Sequence, residues 1–228
     1  MIQYPTAPVH TAFMEFCGGN HSVNKRATQD EIAYKGNAGE EASYGCNMML
    51  VGDSLAGLYD HTINLTNALA QDQQCVCWLK IGPDGRINGF FEGNQAFNFN
   101  LPARRNRVLA IDVDTQGGCT CGVGGIPMTP LSQFASTWLE FDISNRQNGG
   151  WSGADASCLV ATVYEMDIPG LQVCGQVDCS CGQVDCSTVH PGGTGQNAYL
   201  KGMENEDGVG IAIPAGPVRL KATFGYKG

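Results

Sequence analysis

The sequence lacks the features that would place the chain in a membrane or on a polyanion. No apolar run approaches the ~18 residues of a transmembrane helix, so we predict no membrane partner. Basic residues are scarce, with 13 Lys and Arg against 22 Asp and Glu and a formal net charge of −9. Nucleic acids and anionic membranes attract basic surfaces, so we also predict no nucleic-acid partner.

The first residues also lack a secretory signal. MIQYPTAPVH has neither a basic n-region nor an apolar h-region, and we interpret Met1 as a fragment start from which the signal segment is missing. Cysteine, by contrast, is abundant, and eleven in 228 residues is a heavy load for a reducing compartment. We therefore predict a secreted protein, extracellular or in the cell wall, with about five disulfides and one unpaired cysteine. The candidates are Cys17, Cys46, Cys75, Cys77, Cys119, Cys121, Cys158, Cys174, Cys179, Cys181 and Cys186.

Two Asn-x-Ser/Thr sequons begin at Asn20 and Asn64 and predict N-glycosylation of a secreted chain. Asn64 alternates with Ile63 and Leu65 in a period of two, so we expect its side chain to face solvent.

Short alternating segments dominate the chain, and helix signals are few. A single helical turn is predicted near 28–33 and a short helix near 197–206. The pattern favours an all-β, single-domain β-sandwich with disulfide-stapled loops and little helix. An irregular lead segment, 1–45, would pack on a body spanning 46–228, which carries a Cys-rich loop at 174–187. Predicted strands include 75–81, 86–91, 95–101, 107–114, 137–143, 156–164, 170–174, 209–213 and 218–226.

A seven-residue duplication, CGQVDCS, runs twice from Cys174 to Ser187. If each copy closed its own disulfide, the loop would form two small rigid rings. Two Cys-x-Cys pairs occur upstream, and their spacing differs from the Cys-x₂-Cys of zinc sites. We expect the two cysteines of each pair to point to opposite faces of a strand and to bind different partners.

The candidate ligand site lies on the strand that contains Trp138, Glu140 and Asp142, which share one face. An aromatic ring beside carboxylates is typical of a sugar-binding groove. Trp151 lies in a predicted Gly-Trp turn at 149–157, which also contains Asp155. The alternative is that these are solvated outward positions of ordinary strands.

A second acidic pair, Asp112 and Asp114, is predicted on another strand, and Asp114 is a further candidate for ligand binding beside Trp138, Asp142 and Trp151. With Glu140 and Asp142 these residues could form an oxygen-rich Ca²⁺ or Mg²⁺ site. Because no EF-hand spacing is present, we predict no metal and no cofactor. The histidines share no local spacing, and no Gly-x-Ser-x-Gly elbow indicates a serine hydrolase.

Several motifs resemble one known family. IAYKGN at 32–37, WLKIGPDG at 78–85 and GGWSGADAS at 149–157 are similar to the fungal allergens typified by Asp f 4. The resemblance implies a secreted fungal protein recognised by host IgE, with no catalytic residues to carry over. The chain departs from the family's type member in the Cys-x-Cys pairs and the doubled CGQVDCS. A weaker likeness to thaumatin-like proteins, at LEF 139–141 and DIP 167–169, suggests a thaumatin-like or jelly-roll-like sandwich.

Three functional hypotheses follow. The first is a non-catalytic protein that contacts cell-wall or host glycans. The second is a glycoside hydrolase acting on β-glucan, with Glu140 as acid and Asp155 or Asp112 as its partner, because such enzymes use two carboxylates. The third is a structural wall protein with no sugar site.

Overall fold

The computed structural model describes residues 6–19, 36–40, 43–178 and 182–228. The predicted turn at 28–33 and the sequon at Asn20 lie outside these ranges. The described strands are β1 (Val9–His10), β2 (Gly39–Glu40), β3 (Ser43–Tyr44), β4 (Met48–Val51), β5 (His61–Asn67), β6 (Gln73–Leu79), β7 (Phe97–Leu101), β8 (Asn106–Ile111), β9 (Thr115–Val123), β10 (Trp138–Asn145), β11 (Trp151–Ser157), β12 (Leu171–Asp178), β13 (Gln183–Val189), β14 (Gly195–Gln196), β15 (Ile211–Ile213) and β16 (Val218–Phe224). The described helices are the α-helix α1 (Leu159–Val163) and 3-10 helices at Phe16–Gly19 and Asp53–Leu58. No helix within the described ranges is long and apolar enough to cross a bilayer.

The strands form two large sheets, which confirms the prediction of an all-β, sandwich-like fold. One sheet has eight strands in the order β1-β4-β8-β5-β16-β12-β13-β14, and the other has six in the order β15-β11-β10-β9-β6-β7. Most neighbours are antiparallel, while β5 runs parallel to β16 and β1 runs parallel to β4.

Alternating side chains from both sheets form one core between them. Ile63, Leu65 and Leu109 of the larger sheet and Leu139 and Ile143 of the smaller are fully buried. Burial of each such side chain is worth about 1.5–3 kcal/mol. Because inward residues alternate with outward ones, this core also determines which side chains the six-stranded sheet presents outward.

Two disulfides join β6 to β9 on the core side. Cys75 pairs with Cys121 and Cys77 with Cys119, each across directly opposed positions of the two strands. The expectation that each Cys-x-Cys binds two different partners is confirmed. The expectation of opposite faces is wrong, because residues i and i+2 of a strand share a face. All four are buried in the core.

The duplicated CGQVDCS forms a hairpin of β12 and β13. Its disulfide joins Cys174 to Cys186, from the first copy to the second. The expectation that each copy closes its own ring is therefore wrong, because antiparallel pairing places the first cysteine of one copy opposite the last cysteine of the other. Cys179 and Cys181 lie outside the described residues.

The described part of the N-terminal lead segment is joined to the rest of the chain by a disulfide and by strand pairing. Cys17 is bonded to Cys46, and Val9–His10 extends the larger sheet beside β4. Cys158 is a free, buried thiol.

Three predicted elements near the centre and end of the chain are wrong. The segment 156–164 is not a strand, since β11 ends at Ser157 and α1 follows. The segment 149–157 is mostly strand β11, and only its first residues form the turn. No helix forms at 197–206; Asn197 and Gly202 there have positive φ values of 51° and 86°, which an α-helix does not accept.

Two further strand predictions fail at turns. The segment 86–91 forms turns, because the Asp84 carboxylate accepts hydrogen bonds from the backbone N–H of Arg86 and from Asn88 Nδ2. The strand predicted at 107–114 ends at Ile111, and Asp114 has a φ of 59°.

Candidate functional site

A cleft of about 550 Å³ lies on the outer face of the six-stranded sheet. We call it the acidic cleft. Its volume is within the range of small-molecule sites. Its floor is formed by β6, β9, β10 and β11, and one wall is formed by the loop at 207–210. The lining residues that carry polar or aromatic groups include Lys80, Trp138, Glu140, Asp142, Trp151 and Asp155.

Strand register aligns one row of residues across the floor. Trp78 on β6 is opposite Gly118 on β9, Gly118 is opposite Glu140 on β10, and Glu140 is opposite Asp155 on β11. Gly118 is required here because a Cβ at that position would lie 2.9 Å from the Trp78 ring. The indole therefore lies over the glycine and beside Glu140.

Three aromatic rings that line the cleft pack against one another. The ring centroids of Trp78 and Trp138 are 4.8 Å apart, and Phe90 lies 5.5 Å from Trp138. Trp138 is only 7% exposed, and its Nε1–H donates to the Phe134 carbonyl at 3.2 Å. Trp151, by contrast, is 43% exposed at the edge. Trp151, not Trp138, therefore offers an aromatic surface to a ligand.

Glu140 and Asp155 form a pair of neighbouring carboxyl groups. Directly opposed residues on one face of an antiparallel sheet have Cβ atoms ~4.5–5.5 Å apart. Burial raises the pKa of Glu140, while a hydrogen bond from the Ser157 side chain and the charge of Lys80 oppose that rise. Burial, and then the charge of Glu140, raise the pKa of Asp155 well above its ordinary value. The pair therefore holds a proton more tightly than two isolated carboxyls would, and that proton favours Asp155.

Asp142 occupies the next row of the floor. Its Oδ2 accepts hydrogen bonds from Asn145 Nδ2 at 2.6 Å and Gln116 Nε2 at 3.3 Å. Burial raises the pKa of Asp142, the two hydrogen bonds oppose this, and Asp114 adds to it. Asp142 Oδ1 and Asp155 Oδ1 are buried without a hydrogen-bond donor from the described residues. A buried acceptor left unsatisfied costs about 1–3 kcal/mol.

Comparison with known proteins identifies the family. The model of the Allergen Asp f 4-like domain matches residues 46–224. The chain belongs to the Asp f 4-like family. It is also 30% identical over 216 residues to "Allergen Asp f 4" of Aspergillus fumigatus, an alignment that covers 93% of this chain and 64% of that relative. The match thus covers less than two-thirds of the length of that relative.

The second acidic pair of this Asp f 4-like domain does not join the cleft. Asp112 accepts a hydrogen bond from Asn37 Nδ2 at 2.9 Å and another from the backbone N–H of Val113. Asp114 is buried nearby and accepts from the backbone N–H of Arg146 at 3.1 Å. Both carboxylates hold loops together, although the charge of Asp114 reaches Asp142.

Among the described residues no three His, Cys, Asp or Glu side chains are grouped so that they could hold a metal ion. The proposed set of Asp112, Asp114, Glu140 and Asp142 is divided between the cleft and the loops. Asn64 of the second sequon lies on central strand β5 and is half-buried, with its Oδ1 inaccessible.

Several residues of this Asp f 4-like cleft had no signal in the sequence. Tyr199 pairs beside Ser157 as an isolated bridge, and burial raises its pKa, with Asp155 and Asp207 adding to the rise. Gly210 packs on Asp155, since a Cβ there would lie 2.7 Å from the Asp155 Cβ. Tyr199 is 42 residues beyond Ser157 and Gly210 is 55 residues beyond Asp155, so local patterns do not predict these contacts.

Proposed function

We propose that this Asp f 4-like protein is extracellular and binds a neutral polysaccharide, such as a cell-wall β-glucan, in the acidic cleft. The observation that carries the proposal is that the Trp138–Glu140–Asp142 strand face, Asp155 and the exposed Trp151 line one cleft. Four disulfides within the described residues support an oxidising compartment.

The polar groups of the cleft suit hydroxyl-rich ligands. Carboxyl groups accept hydrogen bonds from sugar hydroxyls, and Glu140, Asp142 and Asp155 all line the cleft. Trp151 on the edge and Ile87, which is 49% exposed and also lines the cleft, provide apolar surface for sugar rings. Glu140, Asp142, Asp155 and Asp207 against Lys80 make the cleft acidic, which disfavours anionic polysaccharides.

Recognition by host IgE is part of the proposal and rests on the relative named an allergen. It concerns the exposed surface and does not depend on the cleft. Immunoblotting with sera from patients sensitised to fungi, against the folded and the reduced chain, tests it. Absence of IgE binding in all sera would contradict it.

Retention on insoluble polysaccharide tests the glycan proposal. The purified protein is incubated with curdlan, cellulose and chitin, and the bound fraction is measured over a concentration series. We expect retention on at least one, weakened at least about tenfold, or ~1.4 kcal/mol, by Trp151→Ala. Leu131→Ala is the matched control, since Leu131 is 67% exposed and lies outside the cleft. No retention on any polysaccharide would favour the structural-protein hypothesis.

A further inference from the structure

The position of Glu140 and Asp155 is difficult to explain by folding alone. Both line the cleft, and they are directly opposed on β10 and β11. In the described part of the chain neither has an ion-pair partner within 4.0 Å, and Lys80 acts on Glu140 only through longer-range attraction. Two neighbouring carboxyls in a partly buried site, with no cation in direct contact, disfavour each other's ionisation. Such an arrangement reduces stability and is typical of functional sites.

The immediate surroundings distinguish the two carboxyls. Glu140 accepts a hydrogen bond from the Ser157 side chain and feels the charge of Lys80, and both favour its ionised form. Asp155 has a buried Oδ1 that no donor among the described residues reaches, and the backbone of Gly210 packs against its Cβ. These contacts favour the ionised form of Glu140, whereas burial and the neighbouring charge raise the pKa of Asp155 and favour its protonated form.

We infer that Glu140 and Asp155 are the catalytic pair of a retaining glycoside hydrolase that acts on the polysaccharide held in the acidic cleft. The inference rests on the glycan binding proposed above. Retaining enzymes place their two carboxyl groups ~5–5.5 Å apart, whereas inverting enzymes need ~6.5–9.5 Å to admit a water. The ~4.5–5.5 Å Cβ separation of directly opposed residues favours the shorter spacing.

The roles follow from these different surroundings and reverse the expectation that Glu140 is the acid. Asp155 gives its proton to the glycosidic oxygen as the bond from that oxygen to the anomeric carbon breaks. A Glu140 carboxylate oxygen bonds to the anomeric carbon, and the leaving sugar departs as an alcohol. Water then attacks the anomeric carbon, Asp155 takes the proton of that water, and the bond to Glu140 breaks. Both carboxyls return to their starting states, and the anomeric configuration is retained.

The other ionisable groups that line the cleft are Lys80, Asp142, Tyr199 and Asp207. Asp142 is held in place by hydrogen bonds from Asn145 and Gln116. The acidic lining disfavours anionic chains, and the substrate class is therefore a neutral polysaccharide.

Reducing-end assays test the inference. The protein is incubated with laminarin, barley β-glucan and soluble starch, with polygalacturonate as the anionic comparison. We expect product from at least one neutral polymer and a loss of at least about a hundredfold in Glu140→Gln and in Asp155→Asn. Asp167→Asn, which removes an exposed carboxyl outside the cleft, should keep full activity. Thermal melting establishes that each variant is folded.

Two readouts separate a catalytic role from a structural one. Glu140→Ala should regain turnover with added azide and yield a glycosyl azide, because azide replaces the missing nucleophile. Proton NMR of the first product should show the retained anomer. An inverted product, or unchanged activity in Glu140→Gln, would overturn the assignment. Retention on a polysaccharide without hydrolysis would overturn the catalytic inference and leave the binding proposal standing, whereas absence of both would contradict the two together.

Discussion

Replacement of Asp155 by Asn should stabilise the protein, and the gain should grow with pH. Burial and the charge of Glu140 raise the pKa of Asp155 in the folded state, whereas an Asp in the unfolded chain titrates near ~3.9. The protonated carboxyl is compatible with folding below that value. As the pH rises toward the folded pKa, Asp155 loses its proton in the unfolded chain before it does so in the folded protein. The unfolded state is thereby stabilised relative to the native state.

The size of the effect follows from linkage. Between the unfolded and folded pKa values, stability falls by at most about 1.4 kcal/mol for each pH unit, for one proton. The Asp155→Asn variant has no ionisable group at this position, so its unfolding free energy does not fall with pH for this reason. The difference in unfolding free energy between variant and parent should therefore start near zero at about pH 4, grow through the window above it, and level off above the folded pKa.

Urea unfolding at constant ionic strength, at half-unit steps from pH 4 to 8, measures this difference. Glu140→Gln should give a smaller gain in stability, because Ser157 and Lys80 oppose the rise that burial causes in the pKa of Glu140. The double variant should gain less than the sum of the single variants, because each substitution also removes a charge that the other carboxyl faces. A flat difference for Asp155→Asn, or one that becomes more destabilising with pH, would refute the reasoning. Asp167→Asn is the control for loss of one negative charge.

Alternation in the sequence was sufficient to predict one half of the candidate site. Trp138, Glu140 and Asp142 are two residues apart, and the period of a strand places them on one face regardless of the partners of that strand. The other half depends on register. Asp155 was a candidate partner for Glu140 together with Asp112, and only the pairing of β10 with β11 distinguishes the two. Register is determined by packing and turns across the whole sheet, which local sequence does not contain.

The missed elements have tertiary causes. Strand β9 contains Gly117, Gly118 and Gly122, which weaken strand propensity, yet the rings of Phe141 and Trp78 cover the first two. Helix α1 is built from Leu159–Val163, where β-branched residues favour strand in isolation. Its five residues form only a little more than one turn, so neighbouring structure, not intrinsic propensity, maintains it.

Two further substitutions test the structural basis of the cleft and of the hairpin. Replacing Cys174 and Cys186 together by Ala removes a disulfide with a sequence separation of 12, and chain entropy predicts a loss of about 3 kcal/mol; a urea midpoint equal to that of the parent would contradict this. Gly118→Ala should cost about 1–3 kcal/mol, because the new Cβ would lie 2.7 Å from the Leu139 carbonyl oxygen and 2.9 Å from the Trp78 ring. Since that ring is part of the cleft floor, polysaccharide retention should weaken along with stability. Gly57→Ala is the matched control, because a Cβ there meets nothing within 4 Å. If Gly118→Ala behaved like Gly57→Ala in both urea unfolding and retention, the Trp78 ring would not lie against position 118. The described floor of the cleft would then be wrong.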